Sequence, residues 1–430
     1  MTFENFGLQG SVLDSLRHIG FKTPTRIQSE TIPLIKEGHD VIGQSQTGSG
    51  KTGAFGIPIV ERAVRGRNAQ ALILAPTREL AKQIASDISK FSKRKGLKVQ
   101  TVYGGVSMGP QIRGLKRSEI IVATPGRMLD HIRRGNFYAD NIEFFVLDEA
   151  DTMIDMGFLN DIEDIADSIP KDRQTLLFSA TMPRELIKIT ERLTDNAKKV
   201  ATEIKVDENL LKQYYYEVQH SQKFSLLVSI LEEEAPDSAL IFCKTRRNTE
   251  KLKKNLRRNG IKAENFHGGL SQNQRERILD SFYKGKVRYL VATNVASRGI
   301  DVEHITHIYN YNIPATVPDY VNRIGRTARA GKSGIAISLV TENDRRNFKD
   351  IRRLYDYKIE KLVKEEFNRL PFKTDEKPRQ RSRRRYPRKA KSSDNKNSSS
   401  APRYKSNKKR KNQPKRTFRR DRNVTQNNTD

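Results

Sequence analysis

The sequence alternates short, continuous apolar runs with longer helix-like stretches between about residue 35 and residue 360. Continuous apolar runs, rather than alternating ones, are typical of parallel strands that are buried on both faces. Their alternation with helices predicts a doubly wound α/β architecture, and two sets of runs predict two domains. The clearest runs are Ala71–Ala75, Ile120–Ala123, Phe144–Leu147, Thr175–Phe178, Ala239–Phe242, Tyr289–Ala292, His307–Asn310 and Ile335–Ser338.

A polar stretch, Thr202–Asn209, separates the two sets of runs and predicts a linker. We therefore expect a first domain over residues 1–205, a linker over 206–212 and a second domain over 213–370. The remaining residues, 371–430, have few aliphatic side chains and are rich in Ser, Asn, Pro, Lys and Arg. Such a segment buries too little apolar surface to offset its ordering entropy, which predicts a disordered tail.

The charge of the chain indicates a polyanionic partner. The formal net charge is +30, and residues 371–430 carry 22 Lys and Arg against 5 Asp and Glu. A basic surplus of this size is typical of nucleic-acid binding. The alternative is a merely solvated surface, and for the tail a solubilising extension.

Several classes of protein and site are excluded by composition. Cys243 is the only cysteine, so the chain has no intrachain disulfide and no cysteine-rich zinc site. The first residues lack the basic-then-apolar pattern of a signal peptide, and no run approaches the ~20 apolar residues of a membrane span. We expect a cytoplasmic protein without a membrane association, and a monomer.

A glycine-containing segment, Ser45–Thr52, follows a short strand-like run and precedes a helix-like stretch. This context predicts a phosphate-binding loop, in which Gly48 and Gly50 let backbone N–H groups approach phosphate oxygens. Lys51 can reach the β- and γ-phosphates, and the Thr52 hydroxyl can hold Mg²⁺. Ser45 replaces the usual first glycine of this pattern, and a chance Gly/Ser turn is the alternative.

Carboxylates follow the apolar run Phe144–Leu147 directly. In an open α/β sheet the carboxyl ends of the strands face the ligand crevice. Asp148 is therefore placed to hold Mg²⁺ through its water shell, and Glu149 to orient and deprotonate an attacking water. The alternative is an acidic helix N-terminus. Together with the glycine loop, these residues predict hydrolysis of a nucleoside triphosphate.

Many ordered motifs between Phe3 and about residue 360 resemble those of the DEAD-box ATP-dependent RNA helicases. In the first half these are Gly20–Gln28 with the upstream aromatic Phe3, Ser45–Thr52, Pro76–Ala81, Gly104-Gly105, Thr124–Arg127, Asp148–Asp151 and Ser179–Thr181. In the second half they are Ile241–Arg246, His267–Gly269, Gln272–Arg275, Ala292–Asp301 and Tyr320–Arg329. The resemblance implies two tandem RecA-like domains, with an adenine-sensing segment over residues 1–29.

The resemblance also implies roles for individual residues. It implies ATP contacts by Phe3, Phe21, Gln28, Gln46, Thr47, Gly48, Ser49, Gly50, Lys51, Thr52 and Asp301. It implies catalysis by Lys51, Asp148, Glu149, Arg326 and Arg329, and coupling of the ATP and RNA sites by Asp151, Ser179 and Thr181. It implies RNA contacts by Thr77, Arg78, Gly105, Thr124, Arg127, Thr245, Arg246, Gly268, Gln272, Arg275, Thr293 and Arg298.

The chain departs from the family pattern at several positions. Arg26 stands where Pro is usual, Asn294 where Asp is usual, Asn322 where His is usual and Ala328 where Gly is usual. An amide can still form hydrogen bonds, but it cannot supply the charge of a carboxylate or the titration of an imidazole.

The resemblance implies an RNA-dependent ATPase that uses ATP and Mg²⁺ and unwinds short RNA duplexes locally, without processivity, or remodels RNA–protein complexes. Roles in cold response and ribosome biogenesis are expected from similarity to bacterial or archaeal members. Two alternatives stay open from the motifs alone: an ATP-gated RNA clamp, and a motor directed at DNA.

Overall fold

The computed structural model describes residues 1–45, 48–202, 210–294, 305–328, 332–354 and 358–374. These residues form two seven-stranded sheets, one after the other along the chain, and every described strand pairing is parallel. Both sheets alternate with helices, so the predicted architecture of two doubly wound, RecA-like lobes is confirmed.

The first lobe contains strands β1 to β7 in the spatial order β3-β4-β2-β5-β6-β1-β7. Its strands are β1 (Val41–Gln44), β2 (Ala71–Leu74), β3 (Val99–Val102), β4 (Ile120–Ala123), β5 (Phe144–Asp148), β6 (Gln174–Ser179) and β7 (Lys198–Ala201). Its helices are α1 (Gly10–His18), α2 (Arg26–Lys36), α3 (Lys51–Arg62), α4 (Arg78–Phe91), α5 (Met108–Leu115), α6 (Pro125–Arg133), α7 (Ala150–Asp155), α8 (Leu159–Asp167) and α9 (Arg184–Leu193).

The second lobe repeats this plan with the order β10-β11-β9-β12-β13-β8-β14. Its strands are β8 (Leu211–Glu217), β9 (Ala239–Phe242), β10 (Ala263–Phe266), β11 (Tyr289–Ala292), β12 (His307–Asn310), β13 (Gly334–Val340) and β14 (Glu360–Leu362). Its described helices are α10 (Lys223–Glu234), α11 (Arg246–Arg258), α12 (Gln272–Tyr283), α13 (Val317–Ile324) and α14 (Arg345–Leu354). Strand β8 includes Leu211 and Lys212, the last two residues of the predicted linker.

Each sheet is buried on both faces. In β2, Leu72 and Ile73 are fully buried in different apolar clusters, one on either side of the first sheet. Leu240 and Ile241 of β9 do the same in the second sheet. Because consecutive strand residues point to opposite faces, this double burial explains the continuous apolar runs in the sequence.

The parallel arrangement places the carboxyl ends of all strands in a lobe at one edge of its sheet. The loops that follow β1, β5 and β6 therefore lie together, and so do those that follow β9, β10 and β11. In such sheets this edge carries the ligand crevice. Within the described residues, no helix combines the length and the apolar character needed to cross a bilayer.

Candidate functional site

The predicted phosphate-binding loop lies between β1 and α3, and its described residues include two glycines with positive φ angles. Gly48 and Gly50 have φ angles of 87° and 93°, in the left-handed region that favours glycine. Lys51, the first residue of α3, is buried, and its ammonium donates a 3.2 Å hydrogen bond to the Ser45 carbonyl oxygen. The hydroxyls of Ser45 and Ser49 lie 2.8 Å apart. The Lys51 side chain thus contacts the same loop with which it is predicted to bind phosphate.

Gln28 connects helix α2 to this loop. Its amide oxygen accepts a 2.9 Å hydrogen bond from the Thr25 backbone N–H, and its amide nitrogen donates a 3.0 Å bond to the Gly50 carbonyl oxygen. A Cβ on Gly50 would lie 2.6 Å from that nitrogen, and one on Gly53 would lie 2.5 Å from it. These glycines are therefore required for close packing of the Gln28 amide, as well as for backbone geometry.

The two aromatic residues predicted to contact ATP pack against each other. The rings of Phe3 and Phe21 lie 5.9 Å apart, and Phe21 also meets Phe91 of α4 at 5.5 Å. Phe3 is buried, whereas Phe21 is partly exposed. Of the two, only Phe21 has exposed ring surface against which a nucleotide base could pack. Phe3 packs against the Phe21 ring from the buried side.

Asp148 ends strand β5 in a fully buried position, with Glu149 next to it. Burial raises the pKa of Asp148 to about 6, although the nearby Lys51 ammonium acts in the opposite direction. The Glu149 backbone N–H donates a 2.9 Å hydrogen bond to the Asp148 carboxylate. Glu149 has a φ of 51°, which is strained for a residue with a side chain. The backbone conformation thereby sets the direction of the Cα–Cβ bond of the predicted general base.

The residues predicted to couple the two ligand sites form one hydrogen-bonded group. The Asp151 carboxylate accepts bonds from the Thr181 backbone N–H at 2.9 Å and the Thr181 hydroxyl at 2.7 Å. The Ser179 hydroxyl accepts a 3.2 Å bond from the Asp151 backbone N–H and donates a 2.7 Å bond to the Thr181 carbonyl oxygen.

This group is tied directly to the phosphate loop. The Ser45 backbone N–H donates a 3.0 Å hydrogen bond to the Ser179 carbonyl oxygen, continuing the ladder between β1 and β6. In the sequence, Ser45 is only a departure from the glycine pattern. The structure gives it a definite position, between the nucleotide loop and the coupling residues.

Predicted RNA-contacting residues of the first lobe lie close together. Arg78 begins α4 and lies against Gly105, where a Cβ would overlap its guanidinium. Arg127 donates a 3.3 Å hydrogen bond to the carbonyl oxygen of Val106, in the same loop. Thr77 and Thr124 cap α4 and α6, respectively, at the carboxyl edge of the sheet. This edge therefore presents guanidinium groups and helix N-termini, both suited to phosphate oxygens.

The second lobe shows a similar cluster. Thr245 caps α11, and the Arg246 guanidinium lies 3.3 Å from the position that a Cβ of Gly268 would take. Thr293 follows β11, and its backbone N–H donates a 3.3 Å hydrogen bond to the Phe266 carbonyl oxygen. The loops after β9, β10 and β11 thus bring these four residues to one edge of the sheet.

The two clusters meet through α4 and α12. Arg78 donates a 3.1 Å hydrogen bond to the Gln272 side-chain oxygen. Next to it, Arg275 forms a 2.8 Å ion pair with Glu79, and both side chains are about nine-tenths buried. A third contact joins Lys82 to Glu276. The sequence motifs name Arg78, Gln272 and Arg275 but contain no signal that they would contact each other across the lobes.

Arg323 is a site residue that sequence reasoning did not single out. Its buried guanidinium donates to the side-chain oxygens of Asn294 at 2.7 Å and Asn310 at 2.9 Å, and to the Asn312 carbonyl oxygen at 2.6 Å. Burial lowers its pKa to about 10. Asn294 thus supplies a neutral acceptor where the family pattern has a carboxylate.

Arg326, a predicted catalytic residue, is buried after α13, where its guanidinium donates a 3.2 Å hydrogen bond to the Asn322 carbonyl oxygen. Other predicted site residues lie outside the described part of the chain. They are Gln46, Thr47, Arg298, Asp301 and Arg329.

The donors predicted for Mg²⁺ have the right chemistry. Thr52 and Asp148 offer a hydroxyl and a carboxylate, the hard oxygen ligands that this ion uses together with water and phosphate oxygens. The buried carboxylate, with its raised pKa, would be stabilised in its charged form by a cation. In the described residues, no group of three or more His, Cys, Asp or Glu side chains could form a cage of protein ligands for a metal.

Comparison with known families and sequences gives consistent matches. Residues 25–189 match the DEAD/DEAH box helicase family, and residues 222–331 match the helicase conserved C-terminal domain. The DEAD-box ATP-dependent RNA helicase CshA of Geobacillus kaustophilus is 44% identical over 84% of this chain and 78% of that protein. CshA of Bacillus subtilis is 42% identical over 84% of this chain and 74% of that protein.

Solved structures agree with these matches. Saccharomyces cerevisiae Dbp5 bound to RNA and ADP BeF3 is similar with a TM-score of 0.78 and 30% identity, covering 84% of this chain and 95% of that one. A DEAD box protein from Methanococcus jannaschii has a TM-score of 0.50 and 41% identity, covering 84% of this chain and 99% of that one.

Proposed function

Because the chain belongs to the DEAD-box ATP-dependent RNA helicases, we propose that it couples ATP hydrolysis to local, non-processive unwinding of short RNA duplexes and to remodelling of RNA–protein complexes. The observation that carries this proposal is the contact between the lobes. Arg78 and Gln272, both expected to bind RNA, lie in hydrogen-bonding contact although they belong to different sheets. One RNA strand can therefore be gripped by both lobes at once.

The structural neighbours support a closed arrangement of the lobes. Dbp5 bound to RNA and ADP BeF3 has the lower sequence identity, 30% against 41%, but the higher TM-score, 0.78 against 0.50. Both matches cover 84% of this chain. A TM-score of 0.78 to an RNA-bound relative, over 84% of this chain, supports a similar arrangement of the two lobes.

In the first lobe, phosphate binding and water activation are divided among four residues. Lys51 leaves the Ser45 carbonyl oxygen to bind the β- and γ-phosphates. Thr52, and Asp148 through water, would hold Mg²⁺, and the bound ion would supply neutralisation of charge on the phosphate oxygens. Glu149, held in its strained conformation, orients the attacking water and accepts its proton.

The second lobe supplies the remaining positive charge. Arg326 and Arg329 lie almost 300 residues from Lys51, so only closure of the lobes brings them to the same phosphate. In related nucleotide hydrolases, an arginine finger contributes roughly 10³–10⁵ in rate. Hydrolysis is thereby made conditional on closure, and closure is made conditional on RNA.

RNA is held by its backbone. The residues at the two carboxyl edges are guanidinium, hydroxyl and backbone N–H groups, which recognise phosphates and 2′-hydroxyls rather than bases. Sequence preference should therefore be weak. Bending of one strand during closure expels its partner from a short duplex, and hydrolysis then reopens the cleft and releases the strand.

The first experiment compares ATP hydrolysis with single-stranded RNA, with single-stranded DNA and without nucleic acid. Stimulation by RNA alone is expected, whereas equal stimulation by DNA would favour a DNA-directed motor. A strand-displacement assay with a slowly hydrolysed ATP analogue then separates helicase from clamp. A protein that holds RNA but displaces no strand, even with ATP, would contradict the unwinding proposal.

The second experiment tests the general base. Glu149→Gln is expected to bind ATP and RNA normally but to hydrolyse ATP at least ~100-fold more slowly, a typical loss for a missing general base. Glu185→Gln, on the exposed side of α9, is the matched control and should keep full activity. Undiminished turnover by Glu149→Gln would remove the residue from this role.

The tail is assigned a separate function, that of a nonspecific RNA anchor. Residues 371–430 carry a net charge of +17, which is 22 minus 5. Their deletion should flatten the dependence of RNA affinity on salt and leave basal ATP hydrolysis intact. An unchanged salt slope would favour a solubilising extension. A cytoplasmic monomer, with roles in cold response and ribosome biogenesis, stays a prediction.

A further inference from the structure

Helix α14 presents a basic surface outside the predicted ATP and RNA sites. It contains Arg345, Arg346, Lys349, Arg352 and Arg353 against one acidic residue, Asp350. One face of the helix is buried through Phe348 and Ile351, while Arg345, Arg346, Lys349 and Arg353 are exposed. The cations are therefore concentrated on the solvent side of an otherwise well-packed helix.

Four of these cations line a cavity of about 320 Å³ between α14 and β8, here called the α14 pocket. Its polar lining consists of Arg345, Lys349, Arg352, Arg353, Glu217 and the hydroxyl-bearing Tyr215. Among the described residues that line the α14 pocket, Glu217 is the one acidic residue. Its carboxylate already accepts a 2.7 Å hydrogen bond from Lys361. The α14 pocket therefore carries a clear excess of positive charge.

The α14 pocket is held in shape by contacts beneath it. The Arg352 guanidinium lies 5.2 Å from the Tyr215 ring centre, above the ring, and donates a 3.2 Å hydrogen bond to its hydroxyl. Tyr215 in turn packs on Phe348, with ring centres 4.9 Å apart. Cations that are ordered before binding lose less conformational entropy when an anion arrives.

The start of α14 is fixed by a buried ion pair. Lys223 of α10 lies 3.1 Å from the Asp344 carboxylate, and the Lys223 side chain is almost fully buried. Asp344 also accepts a 2.7 Å hydrogen bond from the Thr341 hydroxyl. Because this anchor immediately precedes Arg345, the first cation of the α14 pocket has a defined position relative to the sheet.

The α14 pocket lies at the same sheet edge as the predicted RNA residues of the second lobe. Glu217 and Val340 are register partners at the carboxyl ends of β8 and β13. Thr245 and Arg246 follow β9, which is separated from β8 by β12 and β13. Three strand spacings amount to about 14 Å, a distance that about four stacked nucleotides cover.

We infer that the α14 pocket binds backbone phosphates of the same RNA strand, just beyond the segment held between the lobes. This inference rests on the proposed function. Guanidinium groups at one sheet edge suit phosphates, and the one carboxylate among the described lining residues, that of Glu217, is already paired with Lys361. The α14 pocket would lengthen the RNA footprint of the second lobe without adding sequence preference.

The test compares two surface variants of the full chain. Arg345→Glu/Lys349→Glu reverses two charges of the α14 pocket. Lys262→Glu/Lys286→Glu reverses two exposed charges just before β10 and β11, at the opposite edge of the same sheet. The probes are oligouridine RNAs of two lengths, the longer with about four more nucleotides at each end. Affinities are measured as a function of salt.

We expect the α14 variant to bind the long RNA roughly tenfold more weakly and to lower the salt slope by about 1.4, the value for two phosphate contacts on a single strand. Its affinity for the short RNA should be unchanged, and the control variant should bind both RNAs normally. Arg345→Ala/Lys349→Ala should give the same pattern more weakly, which guards against misfolding caused by reversed charge.

Equal long-RNA affinity in the α14 and control variants would overturn the inference, and so would an equal loss for both RNA lengths in the α14 variant. Loss of binding to polyglutamate in the α14 variant, with RNA binding intact, would instead indicate an acidic protein partner. ATP hydrolysis stimulated by the short RNA reports on the proposed function alone. Its absence in the unmodified chain would contradict that function and leave the binding comparison interpretable.

Discussion

Glu79 of α4 accepts a 2.8 Å hydrogen bond from Arg275 of α12, across 196 residues of sequence and between two separate sheets. Both side chains are largely buried in this contact. A buried ion pair is far more sensitive to loss of one partner than an exposed one, because the remaining charge stays desolvated. Removal of either charge should therefore weaken the association of the two lobes.

The first prediction concerns this pair. Glu79→Gln should weaken closure of the lobes by about 1–3 kcal/mol, the cost of a weakened hydrogen bond to a buried charge. The RNA concentration for half-maximal ATP hydrolysis should rise accordingly. The control is Glu276→Gln, which breaks the more exposed pair with Lys82 and should cost at most about 1 kcal/mol. Equal effects of the two variants would contradict a special role for the buried pair.

The second prediction separates packing from backbone strain in the phosphate loop. Gly50→Ala should weaken ATP binding strongly, because the new methyl would lie 2.6 Å from the Gln28 amide nitrogen and 2.9 Å from the Thr25 hydroxyl. Gly66→Ala is a matched control, since Gly66 has a similar φ of 83° but open space around it. Both variants should lose about 1–2 kcal/mol of stability to backbone strain. Binding of a fluorescent ATP analogue should fall only for Gly50→Ala, and equal loss in both would exclude the packing argument.

The third prediction concerns the neutral acceptors around Arg323. Asn294→Asp should place a carboxylate at the 2.7 Å hydrogen bond to this buried guanidinium. A charged acceptor is worth about 1 kcal/mol more than a neutral one, which corresponds to a rise in Tm of about 2–4 °C. Asn294→Ala removes the acceptor and should lower Tm. A lower Tm for Asn294→Asp, measured by calorimetry, would show that the site tolerates only a neutral group.

The fourth prediction concerns the dependence of stability on pH. His131 is fully buried, with its ring 3.1 Å from the Gln111 side-chain oxygen, and burial together with Arg127 lowers its pKa below the ordinary 6.5. Between the folded and unfolded pKa values, the unfolded chain binds more protons. Burial of the neutral His131 ring therefore costs no stability above pH 6.5. Below pH 6.5 the free energy of unfolding falls, because protonation favours the unfolded chain.

A variant at this position should show that contribution directly. His131→Gln should flatten the fall in Tm as the pH is lowered from 7 through the titration range of histidine, at about pH 6.5 and below. His220→Gln, at an exposed position, should leave the profile unchanged. A profile for His131→Gln that stays parallel to that of the unmodified chain would rule out this source of acid sensitivity.

Most central strands could be predicted from the sequence because their burial on both faces produces continuous apolar runs. The internal strand β8, whose burial is interrupted by exposed residues, and the edge strands could not. β3 reads Val-Gln-Thr-Val, β7 begins with two lysines and β10 reads Ala-Glu-Asn-Phe. Each of these three strands lies at the end of its sheet. Its polar side chains interrupt the apolar pattern in the sequence.

The candidate site shows the same division. Local features, such as the glycine loop and the carboxylates after β5, follow from short motifs whose chemistry is fixed by spacing. Long-range relationships do not. That Arg275 would meet Glu79, or that Asn294 would serve a buried Arg323, depends on packing between segments far apart in the chain. Sequence motifs identify the candidate residues, but the contacts between them are seen only in the folded structure.

The backbone bond between Ser45 and Ser179 has a mechanical consequence. The end of β1 carries the loop proposed to bind the β- and γ-phosphates, and the end of β6 leads to Thr181, which donates two hydrogen bonds to the Asp151 carboxylate. A shift of the loop would strain this hydrogen bond at the end of the β1–β6 ladder. Under the proposed function, release of the cleaved phosphate and release of the RNA would then be coupled through this bond.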